Sequence, residues 1–85
     1  MGKYEILFNP KAEKQLDKLS NQVVKPILEA ILSLSEDPRP SGCKKLKGRP
    51  AYRIRVQNYR VIYEILDKVL LVEVIAIGHR KDIYK

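Results

Sequence analysis

Cysteine is almost missing from this sequence. Cys43 stands alone, so no internal disulfide can form and no cysteine-rich metal site can be built. That usage agrees with a reducing compartment. Long apolar runs are missing as well. No segment approaches the ~20 apolar residues of a membrane span. No N-terminal apolar run leads to a small-residue cleavage site. The expectation is a cytoplasmic chain with no membrane attachment. Internal repeats and low-complexity tracts are absent too, which leaves one unit spanning residues 1–85.

Positive charge is what the chain has in excess. Its 85 residues carry 17 Lys and Arg against 10 Asp and Glu, a net charge of +7. Charged residues make up 32%, above the usual ~25%. So basic a small body suits nucleic acid or an acidic protein partner, with an ordinary solvated basic surface as the plain alternative. The hydrophobic fraction of 45% is that of a globular protein. A chain of this length buries somewhat over ~60% of its unfolded surface, enough for one modest core.

Lys3 to Phe8 alternate weakly and read as a first strand, stopped by Asn9-Pro10. Asn9 suits a helix N-cap, and Pro10 suits the first helical position, where a missing N–H costs nothing. Ala12, Leu16 and Leu19 then recur at helical spacing. Ser20-Asn21 restarts the chain, and Val24, Ile27, Leu28, Ile31, Leu32 and Leu34 form a second stripe. Pro26 implies either a later start or a kink in that helix. So short a connection predicts an antiparallel helix hairpin. Pro38, Pro40 and Gly42 make residues 36–43 a loop. A basic run of Lys44, Lys45, Lys47 and Arg49 follows. Lys44 and Lys45 read as a solvated linker, whereas Lys47, close before the next strand, is placed to help hold phosphate.

Tyr52-Arg-Ile-Arg-Val-Gln-Asn-Tyr-Arg-Val-Ile-Tyr63 reads as two strands joined by a turn at Gln57-Asn58. Strand side chains alternate between faces. A two-residue loop sets Val56 opposite Tyr59 and Arg55 opposite Arg60, so Arg53, Arg55 and Arg60 share one face. Like charges opposite each other destabilise a sheet. At an effective dielectric near 20 and ~6 Å the repulsion is roughly 2–3 kcal/mol before screening. A small protein tolerates that most readily where an anion binds. The alternative is a solvated face balanced by Glu64 and Glu73.

A second tight turn at Asp67-Lys68 leads into a last strand, Val69 to Ile77. With Leu66 facing Val69, Ile62 faces Glu73 and Arg60 faces Ile75. One face then carries Tyr52, Ile54, Val56, Tyr59, Val61, Tyr63, Ile65, Leu70, Val72, Val74 and Ala76, and the helices should cover it. The other face mixes the arginines with Ile62, Leu71, Ile75 and Ile77. That is too apolar for plain solvent, and it reads as a groove or a partner surface. The expected fold is α+β: an N-terminal strand of open position, a two-helix hairpin, then a three-stranded antiparallel meander with the helices on one face. Gly78-His79-Arg80 and the tail to Tyr84 return to one end of the sheet.

The order β-α-α-β-β-β, with Lys44-Lys-Leu-Lys-Gly48, Tyr52-Arg-Ile-Arg-Val, Tyr59-Arg-Val-Ile-Tyr-Glu64 and Ile77-Gly-His-Arg-Lys-Asp-Ile-Tyr84, resembles the RelE family of toxins. The likeness covers nearly the whole chain. It implies a toxin of a type II toxin–antitoxin system that enters the 30S A site of the ribosome and cuts messenger RNA there. The nucleophile would be the ribose 2′-OH, leaving a 2′,3′-cyclic phosphate and a 5′-OH, with no metal or cofactor. By motif, Arg60 would stabilise the phosphate in the transition state, Arg80 would help the leaving oxygen, and Tyr84 would stack on the base and assist proton removal. Arg53 and Arg55 stand where relatives often carry lysines. An arginine keeps its charge at any relevant pH, so neither can serve as base. They can hold phosphate bidentately. Base duty then falls to Tyr84, to a ribosomal group, or to His79, which otherwise reads as an exposed residue at a strand end.

The resemblance also implies a cognate antitoxin, with the toxin monomeric by itself and oligomeric through that partner. Some relatives carry a helix after the tyrosine. This sequence stops at Lys85, so the expected inhibition is direct covering of the basic groove by an apolar helix with acidic groups. Two other readings remain from the sequence: a ParE-like toxin acting on DNA gyrase without nuclease chemistry, and a basic RNA-binding module without catalysis.

Overall fold

A computed structural model describes residues 3–79. Asn9 caps the first helix as its sequence predicts: its side-chain oxygen accepts from the Lys11 N–H at 2.8 Å, with Pro10 in the first turn. Strand β1 (Glu5–Phe8) therefore ends abruptly in α1 (Pro10–Asp17). Helix α2 (Asn21–Ser33) starts directly after Ser20 and takes Pro26 inside it. Proline leaves the Gln22 carbonyl without its helical partner. Gln22 is exposed, so water can serve that carbonyl.

Three further strands form the expected meander: β3 (Tyr52–Val56), β4 (Tyr59–Leu66) and β5 (Leu71–His79). A two-residue strand, β2 (Lys44–Lys45), is added at the β3 edge, where the sequence pattern predicts a solvated linker. β1 settles on the far side, parallel to β5, giving the order β1-β5-β4-β3-β2. The sheet is thus mixed and five-stranded.

Two register expectations are corrected. The β4–β5 connection is not a two-residue turn but a 3₁₀ turn at Asp67–Val69, closed by Leu70 in the left-handed region (φ 51°), so Leu66 pairs with Leu71 rather than Val69. Further along, Tyr63 pairs with Val74 but Ile62 with Ala76. Ile75 is an extra residue, a β-bulge, and it inverts the alternation beyond it. Ile77 consequently joins the helix-side core, while Ala76 moves to the other face. Arg60 faces Gly78, not Ile75, and Ile62 faces Ala76, not Glu73.

The bulge lies where β1 runs out. The Asn9 N–H donates to the Val74 carbonyl as the last link of that ladder. Past it, the Ile77 N–H donates to the Gln15 side chain of α1 at 2.8 Å, so the helix takes over the edge that β1 leaves.

The main core lies between sheet and helices. Ala12, Ile27, Ile31 and Leu34 meet Ile54, Val61, Tyr63, Val72, Val74 and Ile77. Fully buried Tyr63 donates its hydroxyl to the Pro38 carbonyl at 2.8 Å, which pins the loop after α2 to the sheet. Burial pushes its phenol above the usual tyrosine range, and the neighbouring Cys43 thiol adds to the shift. A second, smaller cluster sits on the opposite face: Ala51, Ile62 and Ala76, packed by Leu46 and Ile75. The chain's own segment from Leu46 to Ala51, closed by a Leu46 N–H to Ala51 carbonyl bond of 2.8 Å, covers part of the face expected to be an open groove. Leu7, 51% exposed, remains uncovered near the β1 edge. Among the described residues no helix is long and apolar enough to cross a membrane.

Candidate nucleic-acid interface

Pairing on the sheet face away from the helices builds a compact cationic array. Arg55 lies opposite Arg60, as the two-residue turn requires, and Lys44 lies opposite Arg53. Gln57 adopts φ 57° to make the turn, a left-handed conformation that supplies the twist a tight hairpin needs. Arg53 and Arg55 are two residues apart on one strand, ~7 Å along it. Four cations therefore form a staggered block over three strands of one face, with Lys44 on β2, Arg53 and Arg55 on β3, and Arg60 on β4.

The block is not uniformly exposed. Arg55 reaches solvent, whereas Arg53 is 8% exposed and its Nε is buried with no hydrogen-bond partner. An unsatisfied buried donor costs about 1–3 kcal/mol, more when the group is charged. The carboxylates that could have balanced the face, Glu64 and Glu73, lie opposite each other across β4–β5. The clustering of positive charge favours an anion of matching spacing.

Two cavities open on this array. One of about 360 Å³ is lined by Ser41, Gly42, Lys44, Arg53, Ile54 and Arg55. A smaller one, about 80 Å³, surrounds the hairpin tip with Arg55, Gln57, Asn58, Tyr59 and Arg60. Arg55 lines both. Of the predicted site residues, the structure thus brings together Arg53, Arg55 and Arg60. Lys47 is exposed in the covering segment and lines neither cavity. Arg80 and Tyr84 lie outside the described residues.

His79 is placed differently. It pairs with Tyr59, whose side chain leaves on the helix side, and their rings meet edge to face at 5.6 Å. The bulge at Ile75 is the cause, since it reverses the phase of the strand end. A base role for His79 therefore loses its geometric support. Ser41, Gly42 and Lys44 line a cavity that sequence reasoning missed. The only signal was the short basic run, and nothing in it marked where the chain would turn back onto β3. Among the described residues no group of three or more His, Cys, Asp or Glu side chains is placed to hold a metal ion.

A network at the opposite end of the sheet holds the loop that carries Ser41 and Gly42. Arg39 forks onto Asp67 (3.3 and 2.9 Å) and stacks over Tyr52, 5.3 Å from the ring centroid. Asp67 also accepts from the Tyr4 hydroxyl at 2.6 Å. The Arg39 guanidinium first, and the Tyr4 hydroxyl second, hold the Asp67 carboxyl below the usual carboxylate range.

Fold and face together define a class: a small α+β domain with a helix hairpin on one sheet face and a cationic array on the other. The sequence model described as the ParE toxin of the type II toxin–antitoxin system parDE matches residues 6–84. The mRNA interferase toxin RelE of Escherichia coli K12 is 31% identical over 81 residues, covering 92% of this chain and 84% of that protein. Toxin RelG of Mycobacterium tuberculosis is 32% identical over 85 residues, covering 96% and 97%. Among solved structures, the toxin of the intact E. coli RelBE complex superposes with a TM-score of 0.80 at 30% identity, over 89% of this chain and 95% of that one. The archaeal RelE–RelB complex of Pyrococcus horikoshii gives 0.83 at 26% identity, over 94% and 98%. The chain belongs to the RelE/ParE toxins of type II toxin–antitoxin systems, as a member of the RelE family.

Proposed function

We propose that this toxin is a ribosome-dependent endoribonuclease that cuts messenger RNA in the A site. The observation that carries the reading is the facing pair Arg55 and Arg60 beside Arg53, three guanidinium-bearing residues that the register gathers on one face of the sheet. The name of the E. coli relative, an mRNA interferase, supports the same chemistry.

In this mechanism the ribose 2′-oxygen attacks the adjacent phosphorus, the P–O5′ bond breaks, and a 2′,3′-cyclic phosphate and a 5′-hydroxyl result. Negative charge grows on the non-bridging oxygens of the transition state. Arg55 and Arg60 meet that charge with planar guanidinium donors that keep their charge through the reaction. Arg53 holds the backbone beside them. None of the three can accept the 2′-OH proton. We assign that step to Tyr84 or to a ribosomal group, and protonation of the departing O5′ to a site organised by Arg80, both by their place in the family motif.

Two of the similar toxins were solved in complex with an antitoxin, in E. coli RelBE and in the archaeal RelE–RelB complex. A cognate antitoxin that lays acidic groups over the arginine face would block the same surface that RNA needs. The matching family description also names ParE, and a gyrase-directed toxin is the second reading. Primer extension on a messenger engaged by purified ribosomes separates the two. The ribonuclease reading predicts protein-dependent stops confined to A-site codons. Inhibition of supercoiling with an intact messenger would replace it with the gyrase reading.

A further inference from the structure

β2 stays with β3 for two residues only, pairing Lys44 with Arg53 and Lys45 with Tyr52. Beyond Arg53 the two chains part. The Cys43 N–H folds back to the Pro40 carbonyl at 3.0 Å, and Gly42 takes φ 91°. The outer edge of β3 at Ile54 and Arg55 is thereby left facing the 360 Å³ cavity instead of a strand. That volume lies within the range of small-ligand pockets. Its lining residues include Ser41, Lys44, Arg53 and Arg55, which between them carry a hydroxyl, an ammonium and two guanidinium groups. One of these, Arg53, is more than nine-tenths buried with an unpartnered Nε. A side chain at Gly42 would meet nothing within 4 Å, so its backbone is open to close approach by a ligand.

We propose that this cavity binds a second phosphodiester of the same RNA strand, next to the one that is cut. The inference rests on the ribonuclease reading and extends it by naming a subsite. Arg55 lines both this cavity and the smaller one that holds Arg60, so the two sites are neighbours along β3. Arg53 and Arg55 stand ~7 Å apart along the strand, a separation that successive phosphates of an extended single strand can span. Lys44 and Ser41 close the second site from the other side. The arrangement recognises backbone and not bases, which suits an enzyme presented with many codons.

The test uses the full-length toxin and two 2′-O-methyl RNAs that cannot be cleaved: a dinucleotide with one phosphodiester and a trinucleotide with two. Affinity is measured against salt for the wild type, for Lys44→Ala, and for Lys25→Ala, which removes the same charge from an exposed position on α2. The wild type should bind the trinucleotide severalfold more tightly than the dinucleotide. Lys44→Ala should erase most of that gain and lower the trinucleotide's salt slope by about 0.7, the value of one single-strand phosphate contact. It should leave the dinucleotide affinity where Lys25→Ala leaves it. Equal effects of the two variants on the trinucleotide would overturn the subsite. So would a wild type that gains nothing from the second phosphate, the result expected if the cavity takes a phosphate from a different RNA strand. These results are independent of cutting: a toxin that cleaves in the A site while Lys44→Ala behaves as Lys25→Ala loses the subsite and keeps the activity. One that shows the trinucleotide effect without cutting keeps the subsite and loses the activity.

Discussion

Arg55 and Arg60 face each other across the β3–β4 ladder, one residue pair in from the hairpin turn. Side chains so placed have Cβ atoms about 4.5–5.5 Å apart, and two guanidinium groups there repel. That repulsion is a term of the pairing itself, set by the register of the hairpin.

Removing one member should therefore stabilise the free protein. Arg55→Ala is expected to raise the unfolding free energy by about 0.2–1 kcal/mol at low salt. The gain should fade as ionic strength rises and screens the pair. Urea unfolding at two salt concentrations measures both parts. A loss of stability at low salt would mean that Arg55 is held by compensating contacts and that the face is balanced.

His79 packs its ring edge to face with Tyr59, away from the arginine side of the sheet. Its replacement by Gln should leave the pH dependence of the single-turnover cleavage rate unchanged between about pH 5 and 8, the range in which an unperturbed histidine titrates. A limb of the profile that vanishes in His79→Gln would return the base role to this residue.

The contrast between Arg60 and His79 shows what pattern alone can deliver. A turn of two residues and strict alternation fix Arg55 opposite Arg60, because nothing between them can slip. Asn9-Pro10 is equally local, and its cap forms as its chemistry dictates. His79 is different, since its face depends on the bulge at Ile75. That residue lies in the run Val74-Ile75-Ala76-Ile77, where every position is apolar and no alternation records the phase. The left-handed Leu70 was hidden for a similar reason: leucine rarely adopts that conformation, and Asp67 is drawn into the turn by Arg39, 28 positions away. The cavity at Ser41 and Lys44 depends on where a proline-bounded loop turns back, which no periodicity encodes.

Asp67 joins the turn before β5 to the loop after α2 and to Tyr4 near the start of β1. Its folded pKa is depressed by Arg39 and Tyr4. A depressed carboxyl adds stability that is complete above the unfolded value, near 4, and is lost as pH falls through the folded value. The stability difference between wild type and Asp67→Asn should thus be constant from about pH 5 to pH 8 and shrink below about pH 4. Denaturant melts at a series of pH values test this. A difference that persists undiminished at pH 2 would show that packing, and not the charge, is what Asp67 contributes.

In the proposed mechanism Arg60 meets the scissile phosphate from the arginine face. The most direct test is the single-turnover rate of A-site cleavage on programmed ribosomes by Arg60→Ala, with the folded state checked by an unchanged cooperative melt. The predicted result is a fall of about 10²-fold or more, the scale of one lost transition-state donor. Cleavage at the wild-type rate by a folded Arg60→Ala would contradict it.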